Sequence, residues 1–141
     1  MIKTKCKDIL RNGQQVVTQS RCDVLCILSK SQHPMSVAEL KQTLGKSSPN
    51  VVTIYRMLES FLDKGIVRRV PLRSSEALFE FTGFGDHHHI SCIECHKIEE
   101  VDDCAVSGAL KNALKKSNKF ASITQHTFEL YGVCKECTKK K

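Results

Sequence analysis

Eleven consecutive residues, Asp86-His87-His88-His89-Ile90-Ser91-Cys92-Ile93-Glu94-Cys95-His96, hold four histidines, two cysteines and two carboxylates. Imidazole, thiolate and carboxylate are the side chains that ligate transition metals. The Cys92-x-x-Cys95 pair is matched far downstream by Cys134-x-x-Cys137. Four thiolates close a tetrahedron around zinc at about 2.3 Å per bond, and an x-x spacing lets two sulfurs reach one ion from a single turn. This quartet predicts a structural zinc site, in preference to two disulfides or a redox pair. A shell closed by four sulfurs leaves no open position for catalysis.

The histidines cannot join that full shell, so they predict a second metal, one that is read rather than merely held. On a strand, His87 and His89 share one face, and His88 falls on the other with Asp86. One face can ligate through His87, His89 and a carboxylate such as Glu100 on the following strand. The other offers Asp86, His88 and His126. Mixed nitrogen and oxygen ligands suit Fe(II), Mn(II), Zn(II), Co(II) or Ni(II) without choosing among them. The competing interpretation is a solvated polar turn. Cys104, after Asp102-Asp103, is a weaker candidate ligand. Cys22 and Cys26 stand four apart on an apolar helix and read as core.

Composition bounds the elements that must position these groups. At 141 residues and 40% hydrophobic content, the chain suits one domain or two compact ones. Its net charge of +7 is uneven: residues 1–80 hold 13 Lys/Arg against 7 Asp/Glu, and residues 81–141 hold 9 against 8. All six arginines lie in the first half, which is therefore the candidate for phosphate contact. Paired cysteine spacing, and a polar, basic Met1–Cys6 in place of a signal peptide, lead us to expect a reducing cytoplasm. No apolar run approaches the ~20 residues of a membrane span.

Residues 4–12 read as a short helix stopped by Asn12-Gly13. A second is expected from an N-cap at Ser20 to about Lys30. After a turn at Ser31–Pro34, Ser36 and Glu39 form a capping box for a third helix that stops at Gly45. Ser48, with Pro49 at the first helical position, is expected to cap a fourth. Its spacing buries Val51, Ile54, Tyr55, Leu58, Phe61 and Leu62. Asn50, Thr53, Met57 and Ser60 form the opposite face with Arg56 at its edge, a composition suited to a DNA major groove. Ile66–Val70 and Ala77–Phe81 are expected to pair as a two-stranded hairpin, with Arg73 in its loop and Arg68 and Arg69 before it as phosphate contacts. Three helices and a hairpin make a winged helix-turn-helix, and DNA binding is favoured over a protein-binding surface. Thr82–Gly85 reads as a hinge. Beyond it, a strand from His89 to Cys92, the cysteine turn, a strand from Lys97 to Val101, a helix from Val106 and a long strand from Ile123 to Val133 are expected. The lysines at the end read as a tail. The fold class is therefore α+β, with a DNA-binding domain at 1–82, a hinge at 83–86 and a metal-binding domain at 87–141.

These motifs together resemble the ferric uptake regulator family of metal-dependent repressors, from about Leu10 to Cys137. The resemblance rests on Thr53-Ile54-Tyr55-Arg56, Gly65-Ile66-Val67, Phe79-Glu80-Phe81, His87-x-His89-x-x-Cys92-x-x-Cys95, and His126 ahead of Glu129-Leu130-Tyr131-Gly132-Val133-Cys134. It implies an N-terminal winged helix joined to a C-terminal α/β dimerisation domain. The function it implies is that of a cytoplasmic, homodimeric repressor on palindromic double-stranded DNA, controlling metal-homeostasis or oxidative-stress genes. It further implies structural zinc and a regulatory Fe2+, Mn2+ or Zn2+ held by His33, Glu80, His87, His89 and Glu100. Tyr55 and Arg56 are its expected DNA contacts, on a recognition helix matching Asn50 to Phe61.

Departures from the family pattern are informative. His96 stands where Gly is usual, and His88 where Asp is frequent. The helix after the knuckle, Ala105-Val106-Ser107-Gly108, lacks the family's usual Glu. A second C-terminal metal set must then use Asp86, His88 and His126 with Asp103 or Cys104. His33 is one residue out of the commonest register. Peroxide sensors of the family tend to carry Asp at the position of Glu100, and zinc sensors often have a hinge cysteine, which Thr82-Gly83 does not supply. Both differences point towards an iron- or manganese-type sensor. Two other function classes compete: a zinc hydrolase, which lacks a base motif such as H-E-x-x-H, and a zinc-stabilised protein-interaction module.

Overall fold

The computed structural model describes residues 2–72, 75–85, 87–101, 106–124, 126 and 128–141, with the backbone alone for Ile2 and Val106. The chain divides into two compact units, Met1–Gly85 and Asp86–Lys141. Among the described residues no helix is long and apolar enough to cross a membrane.

The N-terminal unit contains α1 (Ile2–Asn12), α2 (Gln19–Lys30), β1 (Met35–Ser36), α3 (Val37–Leu44), α4 (Val51–Asp63), β2 (Val67–Val70) and β3 (Leu78–Phe81). The cap of α2 is Thr18, whose hydroxyl accepts from the Arg21 amide at 3.2 Å, and not Ser20 as expected. Ser36 and Glu39 do form the capping box of α3, and Gly45 ends that helix at a φ of 65° that glycine tolerates. The cap of α4 is Asn50 rather than Ser48. Its Oδ1 accepts from both the amide and the hydroxyl of Thr53 at 2.8 Å, so Asn50 is fixed as a structural cap.

The hairpin is wider than expected. β3 lies between β1 and β2 in a three-stranded antiparallel sheet, with Met35 opposite Phe79 and Arg69 opposite Phe79 on the other side. Helices and sheet enclose one core of Leu10, Val24, Leu25, Leu28, Leu40, Ile54, Leu58, Phe61 and Phe79, all essentially inaccessible to solvent. Burying each such side chain contributes about 1.5–3 kcal/mol. This unit therefore has an apolar reason of its own to fold.

The C-terminal unit contains β4 (His88–Cys92), β5 (Ile98–Val101), α5 (Val106–Lys116), β6 (Glu129–Gly132) and α6 (Lys135–Lys139). β4 is central, antiparallel to β5 and parallel to β6. A parallel neighbour requires a crossover connection, which α5 supplies. Of the strand expected over 123–133, the described residues form strand only over Glu129–Gly132, where His89 to Cys92 lie opposite. The short helix α6 was not expected; it takes in Lys139 alone of the lysines read as a tail, and Lys140 and Lys141 lie beyond it. Among the described residues, the buried positions of this unit are His87, His88, His89, Ser91, Cys92 and Cys137. No Leu, Ile, Val, Phe or Met is among them.

Candidate metal centre and nucleic-acid interface

The β4–β5 turn brings Cys92 and Cys95 up to the end of β6, where Cys134 and Cys137 flank the start of α6. All four sulfurs lie within 4.8 Å of one another. Cys95 Sγ and Cys134 Sγ are 3.7 Å apart. A tetrahedron with 2.3 Å metal–sulfur bonds has an edge of about 3.8 Å, so this spacing fits one ion. The local backbone also favours thiolate. The amides of Cys95, Cys134 and Glu94 donate to Cys92 and hold its thiol well below the usual range, at about 6. The Cys134 amide donates at 3.3 Å. Hydrogen bonding to Cys134, then burial, pushes the Cys137 thiol up. Hydrogen bonds among the sulfurs thus leave protons to be displaced when a cation arrives. Ion pairs from Lys97 to Glu136 at 2.9 Å and from Lys141 to Glu94 at 2.6 Å link the two cysteine segments.

His87 and His89 share a face as strand alternation requires. Their rings are 4.9 Å apart, centre to centre, and both are buried. Glu100 lies directly opposite His89 in the β4–β5 ladder, and its carboxylate comes within 3.7 Å of His87 Nδ1. Two imidazoles and a carboxylate on one sheet face can ligate a hard or borderline divalent cation. The opposite face carries His88, whose ring centre is 5.8 Å from that of His126 and 5.1 Å from that of Phe128. Asp86, Asp103 and Cys104 lie outside the described residues. In the N-terminal unit, exposed His33 faces Glu39 at 3.7 Å. Buried Glu80 on β3 is hydrogen-bonded and ion-paired to Arg68.

The exposed side of α4 differs from the one expected. Met57 is buried with Ile54, Leu58 and Phe61, whereas Val51, Val52 and Tyr55 face solvent beside Arg56. Successive helix positions rotate by about 100°, so moving Met57 inward turns Tyr55 outward. Of the wing arginines, Arg68 is engaged by Glu80 and Arg69 lies over the Phe79 ring at 5.5 Å. Arg73 is outside the described residues.

The model of the ferric uptake regulator family matches residues 12–131. The chain belongs to that family.

Members are transcription regulators rather than enzymes, and they bind DNA as dimers. The hydrolase alternative falls with that membership. The chain is 32% identical over 130 residues to the peroxide-responsive repressor PerR of Staphylococcus aureus, covering 91% of this chain and 85% of that protein. The crystal structure of the Vibrio cholerae ferric uptake regulator superposes with a TM-score of 0.76 at 28% identity, over 91% of this chain and 98% of the other. The Francisella tularensis ferric uptake regulator with iron superposes with a TM-score of 0.73 at 25% identity, over 87% and 94%.

Within this ferric uptake regulator chain, the structure also accounts for one departure from the family's sequence pattern. His96 has a φ of 62°, the left-handed region where glycine is at ease. The family's usual glycine suits that turn, and His96 occupies it while its amide bonds Cys92 O at 3.0 Å. Sequence periodicity missed the exposure of Val51 and Tyr55, because apolar side chains at helical spacing are ordinarily read as core.

Proposed function

We propose that this chain is a cytoplasmic, homodimeric, metal-activated repressor that binds a palindromic operator and controls metal-homeostasis or oxidative-stress genes. The observation that carries this reading is the His87–His89–Glu100 face, lying on the hairpin that also supplies two of the four clustered sulfurs. One set holds zinc permanently by thiolate affinity. The other exchanges a divalent ion such as Fe2+, Mn2+ or Zn2+. Glu80 and His33 are the further regulatory ligands that the family resemblance implies. A metal that binds one arrangement of the chain better than another shifts the population by its differential affinity. Asp86, His88 and His126, with Asp103 or Cys104, form the second candidate set.

DNA contact falls to the solvent-facing side of α4. Tyr55 and Arg56 are the reading residues, Thr53 and the Asn50 cap support the start of the helix, and Arg73 joins from the wing. Arginine is suited to bidentate contact with guanine or phosphate. Glu100, in place of the family's peroxide-associated Asp, supports an iron- or manganese-type response. The relation to a peroxide-responsive repressor supports the oxidative-stress side of the reading.

The test uses one preparation before and after mild chelation. About one zinc per chain should survive, as a closed thiolate site allows. Binding to palindromic DNA should vanish and return with Fe(II), Mn(II) or Zn(II), and the ranking of the metals, with and without hydrogen peroxide, names the sensor type. Arg56→Ala should weaken operator binding without releasing zinc. DNA binding that ignores the exchangeable metal would sink the proposal and return the interaction-module reading.

A further inference from the structure

Three cysteines of the N-terminal unit lie outside the candidate metal and DNA-binding sets: Cys6 on α1, and Cys22 and Cys26 on α2. All three are buried in the apolar core. Cys26 Sγ lies 2.6 Å from Cys6 Sγ, although the two residues are 20 positions apart in sequence. That separation excludes a shared metal ion, since two sulfurs on one zinc stand about 3.8 Å apart, as Cys95 and Cys134 do. It lies just beyond the sulfur–sulfur bond of about 2.05 Å. The two cysteine groups of the chain are thus distinguished by geometry: one is spaced for a cation, the other for a covalent bond.

We propose that Cys6 and Cys26 are an oxidisable pair that forms an intramolecular disulfide, tying α1 to α2. The Cys26 thiol donates its hydrogen bond to the Cys6 sulfur, so Cys6 is the sulfur that reacts first. Burial, followed by that hydrogen bond, pushes the Cys26 thiol up to about 12, which keeps it protonated until Cys6 has reacted. The oxidant is hydrogen peroxide, small enough to reach a site that larger disulfide reagents enter poorly. The Cys6 sulfur attacks the O–O bond, taking up a hydroxyl as sulfenic acid and releasing one water. Cys26 Sγ then attacks that sulfur, the S–O bond breaks, and the hydroxyl leaves as a second water with the Cys26 proton. Two thiols are oxidised to one disulfide while one peroxide is reduced to two waters.

The link closes a loop between two helices that already pack together. It acts chiefly by restricting the unfolded chain. Cys22, four residues before Cys26 on the same helix, also feels burial and the nearby Cys6. It is the alternative partner that the experiment must separate.

The full-length, zinc-loaded protein is treated with hydrogen peroxide, alkylated and digested with trypsin without reduction. The expected product joins Cys6-Lys7 to the fragment from Cys22 to Lys30, and dithiothreitol separates the two. Because Cys22 and Cys26 share that fragment, the digest is repeated on Cys22→Ala, which should keep the link. On oxidation the melting midpoint of the N-terminal unit should rise by about 10 °C and return on reduction. A link lost in Cys22→Ala, Cys6 carried to sulfinic acid without a link, or all three thiols still alkylated after peroxide would each overturn the proposal. Where Cys22→Ala fails to fold, fragmentation of the wild-type linked peptide decides, because the alkylated thiol of the pair should be Cys22 and not Cys26.

Discussion

Stripping zinc from the four-cysteine set should unfold the C-terminal unit and leave the N-terminal unit standing. The reasoning starts from burial. Among the described residues, the C-terminal unit buries three histidines, a serine and two cysteines, whereas the N-terminal unit buries a full set of Leu, Ile, Val, Phe and Met. A structural zinc contributes about 10–16 kcal/mol of folding free energy. A whole domain usually has only about 5–15 kcal/mol of net stability. Within one chain, a unit with so little apolar burial has nothing of that size to replace the ion. The helices of the N-terminal unit run 11, 12, 8 and 13 residues, and those of the C-terminal unit 11 and 5. Losing the latter two removes about a quarter of the α-helical residues, so the far-ultraviolet dichroism should fall by roughly that share. The assay is a strong chelator with reductant present, followed by dichroism and amide hydrogen exchange. Amides of β4, β5 and β6 should exchange as in a peptide while those of α2 and α4 stay protected. Persistent protection of β4 in zinc-free, reduced protein would refute the reasoning, as would collapse of the whole helical signal.

Three substitutions probe the elements around the sites. His96→Gly removes left-handed strain of ~1–2 kcal/mol, partly offset by ~0.5–1 kcal/mol of added chain entropy, for a net gain of up to ~1.5 kcal/mol. Denaturant midpoints of the C-terminal unit should rise with Gly, and His96→Ala, which keeps the Cβ, should give no gain. Asn50→Ala strips the α4 cap and should cost about 1 kcal/mol, read as a lower midpoint for the N-terminal transition. Leu58→Ala opens a cavity under α4 and should cost about 2–5 kcal/mol in that transition, with metal content by mass spectrometry unchanged.

The metal-ligand clusters were legible because their residue types have few other uses in such density. Strand alternation then placed His87 and His89 together and His88 apart, as the ring distances show. The caps were harder to read. Thr18 and Ser20 both qualify as caps by type, and only the backbone decides between them. On α4 the error had a physical source. Val51 and Tyr55 are apolar enough to pass for core, yet a surface that meets DNA bases also favours apolar and aromatic groups. The pattern alone cannot separate a second face from the first. β1 is two residues long and has no period to detect. Alternation through 124–131 suggested a long strand, but a strand exists only where a partner accepts its hydrogen bonds, and β4 offers that from His89 to Cys92.

α6 shows most clearly why the two units differ in legibility. Its N-cap is Cys134, whose sulfur accepts from the Cys137 amide at 3.4 Å. Thiol is not a residue type that sequence rules recognise as a cap. Cys134 caps α6 with the same sulfur that lies within 4.8 Å of the other three thiols. The sulfur that caps α6 therefore belongs to the four-cysteine set as well. In the N-terminal unit, hydrophobic periodicity specifies the core and the exposed face of α4 is the remainder. In the C-terminal unit the ligands take the place of a core, so the residues that signal the chemistry also hold the fold, and a change at Cys134 should disturb both together.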